Sequence, residues 1–261
     1  MTEQSVSGRL FAVLDLFLHS PGPLTLSEVS DATELPMATS YRYLRDLVAW
    51  GGLQKTSDGR YRVGPKMWML GSASSWERTI RRESHPLISA VSGGLHQAVA
   101  LTMLHRGQII CIDRAWGSTP SIYLVDPGDE IPLPPTSAGK VLLSRLNETE
   151  LTQTLAAMGA RLEPSADVAS KEWFAEAYDT TKLLSRVHEA RERGYALAAG
   201  ELRPGQASLS VPVHVPHLET ELALSILIPV GYEAAVEFLP HLKDAAKTLG
   251  KRLAKAEFLK S

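Results

Sequence analysis

The chain has 261 residues, of which 44% are hydrophobic, and its formal net charge at pH 7 is −2. This length allows two domains. The sequence has no apolar run of about 18 residues, the length that a transmembrane helix needs, and no signal segment is evident. Because the single cysteine, Cys111, excludes an internal disulfide and a multi-cysteine zinc site, we expect a cytoplasmic protein without membrane, metal or cofactor partners.

The segment from Leu24 to Gly64 predicts a helix-turn-helix followed by a hairpin. A helix with one apolar stripe, Ser7 to His19, precedes it. Thr25-Leu26-Ser27-Glu28 has the pattern of a capping box, and Pro36 suits the first position of the next helix. Asp58-Gly59, between two short β-like runs, is a strong hairpin signal. This order is typical of a winged helix-turn-helix, a DNA-binding module.

The distribution of charge supports DNA binding better than the net charge does. Residues 1–40 contain one basic and five acidic side chains, whereas residues 41–66 contain six basic and two acidic ones. The change falls where the second helix and the hairpin begin, and that surface would meet phosphates. The alternative is a solvated surface of mixed charge.

The remainder of the chain predicts an α+β domain with an antiparallel sheet. A helix is expected over residues 65–83 with a bend at Gly71-Ser72, and His85-Pro86 begins the next element. Strands are expected at 99–104, 108–114, 120–125, 195–202, 208–215 and 222–229. Helices are expected at 87–97, 137–146, 180–193 and 234–258. We expect a DNA-binding domain at 1–70, a linker helix at 71–84 and a second domain at 85–261.

Several motifs, in this order and spacing, resemble the IclR family of bacterial transcriptional regulators. In the first domain they are Leu35-Pro36, Thr39, Arg42, Leu44, Leu47 and the run from Asp58 to Pro65. In the second they are Ile112-Asp113-Arg114, Pro132-Leu133, Thr136, Ala138-Gly139-Lys140, Arg193-Gly194-Tyr195, the run from Glu201 to Gly205, and Val211-Pro212-Val213. The resemblance implies a GAF-like C-terminal domain that binds a small-molecule effector. It also implies a homodimer or homotetramer on a partly palindromic, double-stranded DNA operator.

The early residues of a recognition helix contact base edges in the major groove. Arg42 can contact a guanine through two hydrogen bonds, and Arg45, one turn further, is expected to meet the DNA backbone. Arg60 and Arg62 on the wing are expected at phosphates or in the minor groove, although Arg60 could be a solvated turn residue. Many family members carry lysine and serine at the first two positions of this helix, which predicts a different operator here. The predicted contacts are Met37, Ala38, Thr39, Ser40, Tyr41, Arg42, Arg45, Arg60 and Arg62.

The turn into the helix at Ser137 is the predicted effector site, because Thr136 can cap this helix and its free amides can bind an anion. The resemblance places Ile131, Ser137, Ala138, Ala198, Ser208, Ser225 and Leu227 around the ligand. Met103, Trp116 and Tyr123 are expected to add apolar or aromatic wall.

The predicted pocket differs from that of family members that bind small polar keto acids. Those members carry aspartate, cysteine and serine in place of Ala198, Ser208 and Leu227. We therefore expect a carboxylic acid with a flat or apolar body, such as an aromatic acid. The alternative is that Ser208 and Ser225 are ordinary strand residues and that side chains fill the cavity.

Catalysis is not expected from this sequence. Cys111 lies in an apolar strand, which favours a buried structural thiol, and His214 and His217 have no identifiable third metal ligand. Ala138-Gly139-Lys140 lacks the remainder of a phosphate-binding loop. We predict a ligand-responsive regulator of catabolic genes, a repressor rather than an activator. The alternatives are a GAF-like metabolite-binding module whose helix-turn-helix serves protein contacts, and a hydrolase-like enzyme on the C-terminal domain.

Overall fold

The computed structural model describes residues 5–118, 125–134, 136–159, 179–201, 205–218, 220–229 and 233–256. The chain divides into two compact units, Met1–Ser75 and Trp76–Ser261.

The first unit is the predicted winged helix-turn-helix. Its elements are α1 (Val6–His19), α2 (Leu26–Thr33), α3 (Met37–Trp50), β1 (Leu53–Lys55), β2 (Tyr61–Val63) and α4 (Pro65–Ala73). The capping box at the start of α2 is formed: the Thr25 amide donates to a Glu28 carboxylate oxygen at 2.6 Å, and the Glu28 amide donates to Thr25 Oγ1 at 3.2 Å. Gly51 ends α3 with a φ of 88°, a backbone conformation that glycine adopts at low cost. The core of this unit is formed by Val13, Phe17, Val29, Tyr43, Leu44, Leu47, Leu53 and Tyr61.

The second unit is the predicted α+β domain with an antiparallel sheet. The sheet has the strand order β5-β4-β3-β8-β7-β6, and every neighbouring pair is antiparallel. Its strands are β3 (Ala98–His105), β4 (Gln108–Ala115), β5 (Glu130–Ile131), β6 (Ala196–Ala199), β7 (Gln206–Val213) and β8 (Leu222–Pro229). Its helices are α5 (Ser75–Leu95), α6 (Ser137–Ser144), α7 (Glu148–Gly159), α8 (Thr180–Arg193), a 3-10 turn (Glu233–Phe238) and α9 (Leu239–Lys255).

The two faces of this sheet differ in what they bury. Because successive side chains of a strand point to opposite faces, each strand serves both sides. On one side, Leu209 and Val211 of β7 share a core with α5 and α9. On the other, Ala196 and Ala223 share a core with α6 and α8. A polar site can therefore form on the α6 side while a continuous apolar core lies on the α9 side.

The structure corrects several predicted boundaries. The predicted break at His85-Pro86 is wrong, because α5 continues through Pro86. A buried helix face that includes Ile80, Ser84 and Ile88 offsets the backbone hydrogen bond that proline cannot make. Ser84 Oγ also donates to the buried Asp113 carboxylate of β4 at 2.8 Å.

Other boundaries also differ from the prediction. Helix α7 occupies a stretch for which no helix or strand was predicted, and the predicted closing helix is divided into the 3-10 turn and α9. Of the strand predicted at 120–125, residues 120–124 lie outside the described residues, and the last residue is not in a strand. In the part of the chain that the structure describes, no helix is long and apolar enough to cross a membrane.

Candidate functional site

Helix α3 presents a mixed apolar and basic surface to solvent. The exposed fraction is 46% for Met37 and 49% for Tyr41, and Ala38, Arg42 and Arg45 are exposed as well. These residues are the available part of the predicted recognition surface, and Thr39 lies half-buried at its edge.

The prediction that Ser40 contacts DNA is contradicted by its burial. Ser40 is fully buried, and its hydroxyl makes no hydrogen bond with any described group. It shares the inner face of α3 with Tyr43, Leu44 and Leu47, at the spacing that puts residues on one side of a helix. In this conformation Ser40 contributes to packing and does not reach a base edge.

The four predicted arginines differ in how far they are already engaged. Arg45 makes an ion pair with Asp46 at 2.8 Å, and Arg62 donates to the Gln54 amide oxygen at 3.2 Å. Arg60 donates to the Pro23 carbonyl oxygen at 3.2 Å and lies within 4 Å of two carboxylates. Arg42 has no anionic partner among the described residues, and its guanidinium lies 5.5 Å from the centre of the Tyr43 ring. Arg42 and Arg62 are therefore the two of these arginines that can reach DNA without breaking an ion pair with a described residue.

The second unit contains a cavity of about 560 Å³, including its open mouth, between α6 and the sheet. Its walls are mainly small apolar side chains, with hydroxyls from α6, β3, β7 and β8. The structure brings together seven of the ten predicted effector residues: Ile131, Ser137, Ala138, Ala198, Ser208, Ser225 and Leu227.

Strand register explains why residues so distant in sequence meet here. Ser208 of β7 pairs with Ala198 of β6 on one side and with Leu227 of β8 on the other. Two residues further along β7, Ser210 pairs with Ser225, which in turn pairs with Ala100 of β3. Apart from the fully buried Ser210, the residues of these two rows form the floor of the cavity on the α6 side of the sheet.

Four serine hydroxyls form a continuous hydrogen-bonded chain beside the cavity. Ser137 Oγ donates to Ser208 Oγ at 2.7 Å, and Ser210 Oγ lies 2.7 Å from both Ser137 Oγ and Ser225 Oγ. Each hydroxyl has one proton, so donation must run from Ser225 to Ser210, to Ser137 and to Ser208. The Ser208 proton is then the one left to donate to a group in the cavity. We call these four residues the serine chain.

The start of α6 adds backbone donors to the same wall. The Thr136 hydroxyl accepts from the Gly139 amide at 3.0 Å and so caps the helix. The amides of Ser137 and Ala138 make no hydrogen bond with any described group, as expected for the first turn of a helix. A Cβ at Gly139 would overlap the Leu133 carbonyl oxygen, so the close approach of this turn requires glycine.

Two of the predicted effector residues, Met103 and Trp116, do not line the cavity. Met103 packs with the core on the α9 side, because the alternation of β3 that turns Ala100 and Thr102 toward the cavity turns Met103 away. Trp116 is 47% exposed and stacks on the Arg114 guanidinium at 3.8 Å. The predictions for Met103 and Trp116 are wrong, and Tyr123 lies outside the described residues.

The sequence-based prediction also missed part of the wall. The additional lining residues are Ala100, Thr102, Val125, Thr136, Glu201, Gln206 and Ala207. Glu201 belongs to one of the motifs that carry the family resemblance, and this was the available signal for it. The residues of β3 could be found only through their pairing with β8.

Glu201 is held by two cations from different helices. Both of its carboxylate oxygens lie 2.7 Å from Lys140 Nζ of α6, and one accepts from Arg186 of α8 at 2.6 Å. The Lys140 side chain is only 3% exposed. Burial, the largest influence, lowers the pKa of the Lys140 ammonium below its ordinary value, while the contact with Glu201 acts in the opposite direction.

Cys111 is a buried thiol in β4. It is 1% exposed, and burial raises its pKa to about 12, so it is protonated and weakly nucleophilic at neutral pH. The expected structural role of Cys111 fits this position.

A winged helix-turn-helix unit and a separate sheet unit with an open cavity are typical of a two-domain, DNA-binding transcriptional regulator. Residues 8–57 match the IclR helix-turn-helix domain, and residues 74–251 match the bacterial transcriptional regulator IclR C-terminal domain. The chain belongs to the IclR family of bacterial transcriptional regulators, which are not enzymes.

Similar proteins include two curated regulators and a solved structure. The Pca regulon regulatory protein of Pseudomonas putida is 28% identical over 248 residues, which is 92% of this chain and 81% of that protein. The HTH-type transcriptional regulator XynR of Escherichia coli K12 is 28% identical, covering 96% of this chain and 97% of that protein. An IclR homologue from Microbacterium hydrocarbonoxydans, solved with 4-hydroxybenzoate, has a TM-score of 0.78 at 22% identity, covering 95% and 99% of the two chains. This structural similarity supports the fold.

Proposed function

We propose that this protein is a ligand-responsive repressor of catabolic genes whose effector is a carboxylic acid with an apolar, aromatic body. The observation that carries the proposal is the cavity, which has apolar walls and a cluster of hydrogen-bond donors that have no acceptor among the described residues. Binding of the acid would change the arrangement of the DNA-binding units on the operator and lower their affinity for it.

The donor cluster supports a carboxylate at the α6 end of the cavity. The amides of Ser137 and Ala138 and the terminal proton of the serine chain at Ser208 are three donors on one wall. The first turn of a helix also carries a partial positive charge that favours an anion. A carboxylate can accept all three hydrogen bonds, whereas an apolar ligand would leave them unmade.

The remaining wall supports an apolar body rather than a small keto acid. Ala198 and Leu227, where keto-acid-binding relatives are expected to carry aspartate and serine, both line the cavity. Val125 and Ile131 add further aliphatic surface. Burial of a flat ring against such side chains contributes about 25 cal/mol per Å² of apolar area. The 4-hydroxybenzoate held by the Microbacterium homologue is a ligand of this kind in another protein.

Thermal-shift measurements on the purified chain test the effector class. A ligand that binds only the folded protein raises the melting temperature as its concentration rises. We expect a concentration-dependent increase with benzoate-type acids and none with glyoxylate or pyruvate. Shifts confined to glyoxylate and pyruvate would overturn the aromatic-acid proposal and leave the family assignment unchanged.

Operator binding tests the proposed role of α3. An operator can be selected from a random duplex library and its affinity measured by fluorescence anisotropy. Replacing Arg42 and Arg45 together with alanine should abolish specific binding, since these cations face solvent on α3. Unchanged binding would favour a degenerate helix-turn-helix that serves protein contacts. If the acid releases the protein from the operator and increases expression of a reporter gene in the cytoplasm, the protein is a repressor rather than an activator.

A homodimer, or a homotetramer made of two dimers, is the proposed working state. Helix α4 exposes Trp68, Met69 and Leu70 by 75%, 62% and 53%, which is a costly arrangement for a monomer in water. Light scattering coupled to size exclusion would measure the mass. We expect at least twice the 28.4 kDa of the chain, and a lower mass for a Trp68→Ser/Met69→Ser variant. A monomeric wild-type protein would contradict this proposal.

A further inference from the structure

Glu201 is the charged side chain among the described residues that line the cavity. It lies just after β6, and its side chain is 20% exposed. An acidic side chain is unexpected in the wall of a site that is proposed to bind an acid. The groups around Glu201 therefore affect which ligands fit the cavity.

The hydrogen bonds of Glu201 leave room for one more donor. A carboxylate can accept about four hydrogen bonds, two on each oxygen. Lys140 Nζ lies 2.7 Å from both oxygens, and Arg186 donates to Oε2 at 2.6 Å. Donors from the described residues therefore occupy three positions, and the remaining one is on Oε1.

The same ion pairs hold the carboxylate in place. Lys140 is on α6 and Arg186 is on α8, so Glu201 is fixed from two helices. The entropy lost in orienting the Glu201 carboxylate is already lost when the protein folds. A hydrogen-bond donor on the ligand therefore binds to a preorganised acceptor.

Charge and hydrogen bonding decide which ligand group can lie beside Glu201. A ligand carboxylate cannot donate to Glu201, whereas it can accept hydrogen bonds near Ser137 and Ser208, so it belongs beside those two residues. An ammonium group is disfavoured as well, because Lys140, Arg186 and Glu201 together carry a net charge of +1. A neutral donor satisfies the free position on Oε1 without either penalty.

We propose that Glu201 determines ligand specificity by accepting a hydrogen bond from a hydroxyl of the effector while the effector carboxylate lies beside Ser137 and Ser208. Lys140 and Arg186 act as positioning residues for this acceptor. The inference rests on the effector class proposed above and adds to it: the preferred acid carries a hydroxyl group.

Isothermal titration of the full chain at pH 7 with four matched acids tests this role. The acids are benzoate, 3-hydroxybenzoate, 4-hydroxybenzoate and 4-(aminomethyl)benzoate, which differ in the group presented to Glu201. A hydrogen bond to a charged acceptor predicts that one hydroxybenzoate binds about 10- to 100-fold more tightly than benzoate. The ammonium compound should bind no better than benzoate.

Two variants of Glu201 and one control complete the test. Glu201→Gln should reduce the preference for the hydroxyl compound to about threefold or less, since the charge-assisted bond is lost. If this variant does not fold, the Lys140→Met/Glu201→Gln variant removes both opposing charges and carries the same expectation. Glu192→Gln is the matched control, because Glu192 is exposed on α8 and does not line the cavity; it should keep the full preference.

The possible failures are distinct. Equal binding of benzoate and both hydroxybenzoates by the wild-type protein, or a full preference retained by Glu201→Gln, would overturn the role of Glu201 and leave the effector class intact. If none of the four acids binds, the proposed effector class is wrong and this inference fails with it.

Discussion

Replacing Ser210 with alanine should destabilise the second unit more than replacing either end of the serine chain. Ser210 is fully buried and does not line the cavity, and its hydroxyl contacts both Ser137 and Ser225 at 2.7 Å. Its removal cuts the chain in the middle. Ser225 then has a proton with no acceptor in the chain, and Ser137 loses its donor.

The expected magnitude follows from the number of bonds lost. A buried hydrogen bond contributes about 0.5–1.5 kcal/mol, and a buried polar group left unsatisfied costs about 1–3 kcal/mol. Ser210→Ala removes two bonds, so we expect a loss of about 2–3 kcal/mol. Ser208→Ala removes one bond at a half-buried position that water can reach, so we expect about 1 kcal/mol.

Scanning calorimetry of the full chain measures these differences. For a unit of this size, 1 kcal/mol shifts the melting temperature by about 2–4 °C, so Ser210→Ala should lower it by about 4–12 °C. The exposed Ser89 of α5 provides a matched Ser→Ala control with no expected loss. Equal shifts for Ser210→Ala and Ser208→Ala would refute the connected chain, because the two variants would then remove equivalent interactions.

Three further predictions concern other parts of the molecule. Arg42→Ala should weaken operator binding, measured by anisotropy at fixed salt, about 10- to 100-fold. Arg45→Ala should weaken it less, since Arg45 already makes an ion pair with Asp46. Equal losses of affinity for the two variants would contradict this order. Gly139→Ala should cost about 3 kcal/mol in urea unfolding, because the added Cβ overlaps a backbone carbonyl. Gly94→Ala, on an exposed helix position with open space, should cost nothing. Because burial raises the pKa of Cys111 above its ordinary value of 9.0, its contribution to the free energy of unfolding is complete below pH 9 and is lost as pH rises toward 12. Cys111→Ala should therefore reduce the fall in the free energy of unfolding above pH 9. Identical pH slopes would show that Cys111 does not ionise differently in the two states.

Local sequence signals were reliable where the structure depends on neighbouring residues. The capping box at Thr25, the turn at Gly59 and the helix end at Gly194 all depend on contacts within a few residues. Each of these local sequence patterns favours one backbone conformation. The winged helix-turn-helix could therefore be predicted from the sequence. Pro86 shows the limit of such signals, since the buried face of α5 offsets a local helix breaker.

The cavity was only partly predictable, because its wall is assembled by strand register. Family resemblance indicated Ser208 and Ser225, but Ala100 joins them only because β3 pairs with β8 across more than 100 residues of chain. The same alternation removes Met103 from the wall, a consequence that composition does not reveal.

The sequence by itself determined the class of the protein, because helix caps, turn residues and apolar periodicity depend on residues that are close together in the chain. Only the tertiary structure decided which side chains share the cavity and which cations remain available. Asp46 lies next to Arg45 in the sequence, yet their ion pair, like the approach of Lys140 and Arg186 to Glu201, is a matter of side-chain position in space. Contacts between distant residues depend on packing that minimises the free energy of the whole unit, and no local pattern encodes them.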